Sequence, residues 1–258
     1  MSAFYRNAQN HLTIDGMPLY NLMAEFGSPI YVYSGAGLER TFAAFQAAVS
    51  PVSGKVHFAL KANSALGVVA LLARCGAGAD IVSIGELARA QAAGIATKDI
   101  VFSGVGKSAV DIKTALAAGI GQINAESASE VTQISALAAA MGVIAPVALR
   151  VNVDVDAGTH SKISTGQRST KFGISTEKRE ATQLYNQINA DPHIKPMGLA
   201  VHIGSQICDM APFEKAYLAL LDVATGLRAE GLEVPCLDLG GGVGVDYQKA
   251  DDTDFTDY

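Results

Sequence analysis

The chain is poor in the features that would commit it to several common roles. Its three cysteines, Cys75, Cys208 and Cys236, stand far apart, which suits neither a disulfide framework nor the paired spacing of a zinc site. They read as reduced core thiols. Long apolar runs are missing as well. The most apolar stretch, 136–149, is broken by Gly142 and Pro146 and bounded by Ser135 and Arg150, so it is too short and too interrupted to cross a bilayer. The opening residues, MSAFYRNAQN, lack a basic-then-apolar leader pattern, and a cytoplasmic protein is expected. The formal net charge is -6, with Lys and Arg scattered along the chain. Neither nucleic acid nor a membrane is therefore expected as a partner.

What remains is rich in core material. Hydrophobic residues make up 49% of 258 and charged ones 17%, enough for one large core of the size that α/β barrels use. Seven short apolar runs, at 56–60, 79–82, 100–103, 122–125, 147–152, 199–203 and 237–239, read as strands. Helical stretches separate them, at 66–75, 85–93, 109–118, 128–141, 177–188 and 212–230, after an earlier one at 38–49. Glycine follows several of these at Gly76, Gly94, Gly119, Gly142 and Gly231, the residue that tolerates a left-handed helix end. The rhythm is that of a (β/α) barrel. Residues 27–34 (GSPIYVYS) alternate behind a turn signal and read as a strand outside the repeat. The polar stretch 154–170 departs from the rhythm and reads as a long functional or mobile loop.

A parallel barrel builds its site at the carboxyl ends of its strands, so the residues just past each run carry the chemistry. Lys61 follows VHFAL. Burial there could lower its pKa enough for Schiff-base chemistry, although an exposed lysine at a strand end reads equally simply. Asp238 and Gly240, Gly241 and Gly242 follow the seventh run. The glycines would present consecutive unshielded N–H groups to a phosphate, or merely make a tight turn. A dinucleotide fingerprint would need an acidic residue after a further strand, and the acidic pair Asp251 and Asp252 follows none. His202 ends the sixth run, with Ser205 three residues on. The ring could lie against a planar cofactor and the hydroxyl could hold a phosphate oxygen, or the histidine could be purely structural. Arg150 lies inside an apolar run and must meet an anion, with Glu126 and Asp80 the plainest candidates. Amine, imidazole, guanidinium and glycine turn at one barrel end together suit an aldehyde phosphate.

These residues resemble the alanine racemase-like, fold type III pyridoxal-phosphate-dependent decarboxylases over nearly the whole chain. FALKAN (58–63) resembles the family's lysine motif, GADIVSIGEL (78–87) its second-strand motif, HIGSQ (202–206) its histidine motif and DLGGGVG (238–244) its phosphate loop. Residues 150–166 with 171–174 look most like the members that decarboxylate meso-diaminopimelate to lysine, Val153 standing where proline is usual. The resemblance implies pyridoxal 5'-phosphate bound through Lys61, with His202 on the ring, and with Ser205 and Gly240, Gly241 and Gly242 on the phosphate. Asp80, Glu86 and Arg150 are implied as supporting polar residues. It implies a small amino acid as substrate and a homodimer when full length. Other basic amino acids or carboxynorspermidine are alternative substrates, and a non-catalytic pyridoxal-phosphate barrel is an alternative function.

The family barrel has eight strands and a Glu-Pro-Gly-Arg motif at the last, and that motif does not occur here. The expectation is an incomplete (β/α)8-type barrel at 35–258, cut before its last helix and strand, preceded by a segment at 1–34 whose strand joins a second domain in the family. With two sheet edges open, such a chain is expected to fold poorly alone and to hold the cofactor weakly.

Overall fold

Short β-branched runs buried on both faces pair in parallel when a helix returns the chain after each of them. The computed structural model describes residues 3–156, 172–176 and 179–245. It opens with a small antiparallel sheet of β1 (Phe4–Arg6), β2 (Leu12–Ile14) and β3 (Met17–Pro18). Two helices follow, α1 (Leu19–Phe26) and α2 (Gly35–Val49). The alternating part then runs β4 (His57–Ala59), α3 (Leu66–Arg74), β5 (Gly78–Ile81), α4 (Ile84–Ala92), β6 (Ile100–Phe102), α5 (Ala109–Ala118), β7 (Gln122–Ala125) and α6 (Ala128–Met141). It continues through β8 (Ala145–Asn152), β9 (Ile174–Ser175), α7 (Glu180–Ala190), β10 (Ile194–Ala200), α8 (Ala211–Ala229) and β11 (Cys236–Asp238).

Serines at the strand-to-helix turns start three of these helices. Ser83, Ser108 and Ser127 accept the N–H groups of Glu86, Asp111 and Glu130, satisfying donors that a helix start otherwise leaves open. The acidic partner then reaches back: Glu86 Oε2 accepts from Val82 N at 2.7 Å and Glu130 Oε2 from Glu126 N at 2.7 Å. Each strand end is thereby pinned to the helix that follows it.

Seven strands pair in parallel in the order β4-β5-β6-β7-β8-β10-β11, with β9 added beside β8. Alternate residues point to opposite faces. One set, including Ala79, Ile81, Ile123, Ala125, Leu149 and Val151, is buried in the main apolar core. The other set is polar, with Asp80 on β5, Gln122 and Asn124 on β7 and Arg150 on β8. Asn124 Nδ2 donates to Asp238 Oδ2 at 2.8 Å, and Cys236 Sγ to Gln122 Oε1 at 3.5 Å. On a flat sheet β7 and β11 would lie roughly 14 Å apart at about 4.8 Å per strand, beyond the reach of those side chains. The sheet is therefore curled, and its polar face lines the inside of an α/β barrel arc.

The strand expected at 27–34 does not form. Those residues have no ladder partner, and Tyr31 is 92% exposed; antiparallel strands form upstream, where β1, β2 and β3 supply one another with partners. The sixth barrel strand also begins earlier than expected, at Ile194, and ends at Ala200. A register shift between Pro196 and Gly198 absorbs the two residues that read as strand breakers. Most of the expected 154–170 loop, and the acidic pair Asp251 and Asp252, lie outside the described residues.

Candidate functional site

Lys61 stands two residues past β4, its side chain 51% exposed, with Nζ 3.8 Å from Asp80 Oδ2. Of the two readings of this residue, a buried amine and an exposed lysine at a strand end, the fold provides the more exposed one; the lysine meets a half-buried carboxylate at a half-open rim. Burial pushes the Asp80 pKa up to about 6, against the hydrogen bond from Ser103 and the charge of Lys61, while Asp238 and Glu86 add to the rise. Ser103 Oγ donates to Asp80 Oδ1 at 2.5 Å, and Asn124 Nδ2 donates to Ser103 Oγ at 3.1 Å. Asp238 Oδ1 in turn accepts Gly240 N at 3.0 Å. One line thus runs from the β4 amine to the glycine turn after β11, by an ion pair from Lys61 to Asp80 and by hydrogen bonds from there on.

A second line follows the outer rim. Lys107 Nζ, whose side chain is 1% exposed, donates to the carbonyls of Gly104 and Asn124 and to Glu130 Oε1. Its three donors are met and its charge is paired, so the lysine is a structural tie between β6, β7 and α6. Arg150 pairs with Glu126 Oε1 at 2.8 Å, donates to His202 O at 3.3 Å and lies over the Phe172 ring at 5.0 Å. The anion that Arg150 needed is therefore Glu126. Glu126 Oε2 is buried without a hydrogen-bond partner among the described residues.

His202 sits two residues past β10 and accepts Gly241 N on Nδ1 at 3.3 Å. Burial, then the charges of Arg150 and Lys61, push its pKa down to about 3, so the ring is neutral at ordinary pH. The loops after β10 and β11 run side by side. Ile207 and Val243 bridge in parallel, and Ile207 N donates to Gly242 O at 2.9 Å. A Cβ on Gly240 would strike the Val201 carbonyl and one on Gly242 the Gly204 carbonyl, whereas one on Gly241 would meet only open space. The turn is thus no row of three free donors: the Gly240 and Gly241 N–H groups are engaged with Asp238 and His202. Ser205 is exposed beside it. Glu86 stays on its own helix start and enters the site only through its effect on Asp80.

The structure brings Lys61, Asp80, Arg150, His202, Ser205 and the three glycines to one rim. Sequence reasoning missed Ser103, Asn124 and Glu130. The available signal was the alternation in Gln122-Ile123-Asn124-Ala125, which places two amides on one face of a strand that is buried throughout. No group of three or more metal-ligating residues occurs among the described residues, and no described helix is long and apolar enough to cross a membrane.

Fold and rim together define a parallel α/β barrel protein that sets a lysine amine, a neutral imidazole and a glycine turn around one opening. Residues 36–258 match the family described as pyridoxal-dependent decarboxylase, pyridoxal binding domain, and the chain belongs to that family. Diaminopimelate decarboxylase of Zymomonas mobilis is 45% identical over 240 residues, 92% of this chain and 56% of that protein. The Vibrio cholerae protein of the same name is 44% identical over 96% of this chain and 59% of its own length. Among solved structures, diaminopimelate decarboxylase from Helicobacter pylori complexed with L-lysine superposes with a TM-score of 0.89 at 37% identity, covering 93% of this chain and 60% of that one. The chain spans less than two thirds of the length of these relatives.

Proposed function

We propose that this chain forms the cofactor-binding barrel of a pyridoxal 5'-phosphate-dependent decarboxylase that converts meso-diaminopimelate to lysine and carbon dioxide. The observation that carries the reading is the amine after β4 and the glycine turn after β11 on one rim, the amine ion-paired to Asp80 and Asp80 joined through hydrogen bonds by Ser103, Asn124 and Asp238 to the turn. The choice of substrate follows the relatives at 45% and 44% identity.

The residues fit the cofactor's chemistry. An aldehyde needs a primary amine, and Lys61 offers one at a half-open rim. A phosphate needs donors in open space: Gly241 leaves that space, Ser205 brings a hydroxyl beside it, and Gly242 N–H has no intramolecular acceptor among the described residues. A flat ring needs an uncharged planar neighbour, which His202 is down to about pH 3. The partnerless Glu126 oxygen beside Arg150 leaves one acceptor at the rim for a bound group.

In this reading Lys61 would hold the aldehyde, His202 the ring face, and Ser205 with Gly240, Gly241 and Gly242 the phosphate, while Asp80, Glu86 and Arg150 maintain the polar surround. When bound, the cofactor supplies an electron sink for the pair left behind by the departing carboxylate. The chain's own residues do the positioning. Arg150, fixed by Glu126, grips the His202 carbonyl and so sets the height of the ring. Asp80 Oδ2 faces Lys61 Nζ, holds a proton below about pH 6 and serves above it as counter-ion to that nitrogen. A cytoplasmic location, a homodimer, and a division between residues 1–34 and the barrel at 35–258 belong to the same reading.

Titration with pyridoxal 5'-phosphate, followed by visible absorbance, tests the site. The unsubstituted chain should give a saturable new band, and Lys61→Ala should give none; a band that survives in Lys61→Ala would refute the assignment. Carbon dioxide release from meso-diaminopimelate, compared with ornithine and arginine, tests the substrate.

A further inference from the structure

Asparagine is depleted in strands, and a buried amide is costly unless its groups are paired. Asn124 is nonetheless only 3% exposed in the middle of β7. Its carbonyl oxygen accepts from Gln122 Nε2 at 2.8 Å, and its Nδ2 donates in two directions. One hydrogen goes to Ser103 Oγ at 3.1 Å, whose own hydrogen goes to Asp80 at 2.5 Å. The other goes to Asp238 Oδ2 at 2.8 Å, a carboxylate that also receives Gly240 N. Ser103 and Asp238 belong to opposite sides of the arc, since β6 neighbours β7 while β11 is three strands away in the other direction. A carboxylate at 124 would have no hydrogen for either partner, and an aliphatic side chain would leave both unmet.

We propose that Asn124 is a positioning residue that sets the lysine side of the site against the glycine side, holding Asp80 through Ser103 and the Gly240 turn through Asp238. The proposal rests on the pyridoxal reading for its ligand. It goes beyond that reading in naming the side chain that joins the two halves of the site. By donating to Ser103 Oγ, Asn124 makes the serine hydroxyl a better donor to Asp80 and so favours the Asp80 carboxylate. The charged groups facing Asp80 are Lys61 after β4, Asp238 on β11 and Glu86 on α4; Asp238 loses a hydrogen bond in either Asn124 variant, and Asn124→Asp adds a further carboxylate, so Asn124→Leu is the variant that reads the path through Ser103.

The experiment uses the 258-residue chain, Asn124→Leu, Asn124→Asp and Ser103→Ala. Carbon-13 carboxyl NMR follows the titration of Asp80, and visible absorbance follows capture of pyridoxal 5'-phosphate across pH. In the unsubstituted chain, capture should fall as pH drops through about 6, together with Asp80 protonation. In both Asn124 variants the Asp80 midpoint should rise by about one pH unit, the capture curve should move with it, and affinity should fall about tenfold or more, as expected for losing a hydrogen bond to a charged group. Ser103→Ala should raise the Asp80 midpoint without any change on β7. If Asn124→Leu does not fold, Asn124→Ala, which removes the same donor with less bulk, decides in its place: an upward midpoint supports the line from 124, and an unchanged one overturns it. Variants that are less stable or bind less tightly with an unmoved Asp80 midpoint would mark a merely structural asparagine and overturn the proposal. A chain that fails to capture the aldehyde at any pH removes the pyridoxal reading and this proposal together, whereas normal capture with unchanged variants removes the proposal alone.

Discussion

At the scale of single residues, the site is organised around charges that cannot all be present at once. Burial disfavours a charge on His202, and repulsion from Arg150 and Lys61 adds to it, so its pKa falls to about 3 from 6.5. A group whose folded pKa lies below its unfolded value binds its proton more readily when unfolded. Its contribution to stability is complete above pH 6.5 and drains away as pH falls toward 3. The ring should therefore show no protonation at pH 5 by ring-proton NMR, and His202→Gln should flatten the acid limb of a urea-unfolding series measured against pH. A ring that titrates near 6 would mean that it faces water instead of the guanidinium. Because Nδ1 accepts from Gly241, the neutral ring carries its hydrogen on Nε2. Residues at this scale were legible in the sequence where their type is unusual for their place: a lysine and a histidine at the ends of apolar runs and an arginine inside one. Ser103 and Asn124 were not, because a serine past a strand and an asparagine within one have many ordinary uses, and only the curl of the sheet brings them to Asp80 and Asp238.

At the scale of elements, the strands were readable because burial on both faces makes each a compact apolar run, and α5 and α6 were readable to the residue because a serine starts each one and a glycine ends it. The failures share one cause. Extended conformation needs a partner as well as a pattern, so 27–34 alternates without becoming a strand, and β10 becomes one despite its Pro196 and Gly198. Gly198 is the point at which β10 is most constrained. Its φ is +130°, and an added Cβ would run into the Cys236 carbonyl on β11. Gly198→Ala should therefore destabilise the chain by about 1–3 kcal/mol in urea unfolding, the usual cost of forcing a side chain into such backbone, with hydrogen exchange rising first in β10 and β11. Gly67→Ala, where a Cβ meets nothing within 4 Å, serves as the control. Equal stability of the two variants would show that the β10 bulge relaxes freely.

At the scale of the whole molecule, the apolar surface is unevenly distributed. Ten of the nineteen large apolar side chains that the described residues leave exposed fall between Phe4 and Tyr33, although this part is a small fraction of the chain. Helix α1 buries none of its residues, leaving Tyr20, Met23 and Phe26 half or more exposed, and Tyr31 is 92% exposed beyond it. Large apolar side chains exposed this densely along one segment favour association, and a net charge of -6 spread along 258 residues supplies little local repulsion to protect them. The chain should therefore self-associate through this face at micromolar concentrations, with an apparent mass in sedimentation velocity that climbs with concentration and falls as temperature is lowered, the direction in which apolar attraction weakens. Phe26→Lys with Tyr31→Glu should reduce that association without changing the circular dichroism of the barrel. Val110→Glu, on the exposed face of α5 and 70% exposed, should leave it unchanged. If the double variant associates as strongly as the original while Val110→Glu does not, the adhesive surface lies on the barrel helices, and the amino-terminal cluster plays no part in it.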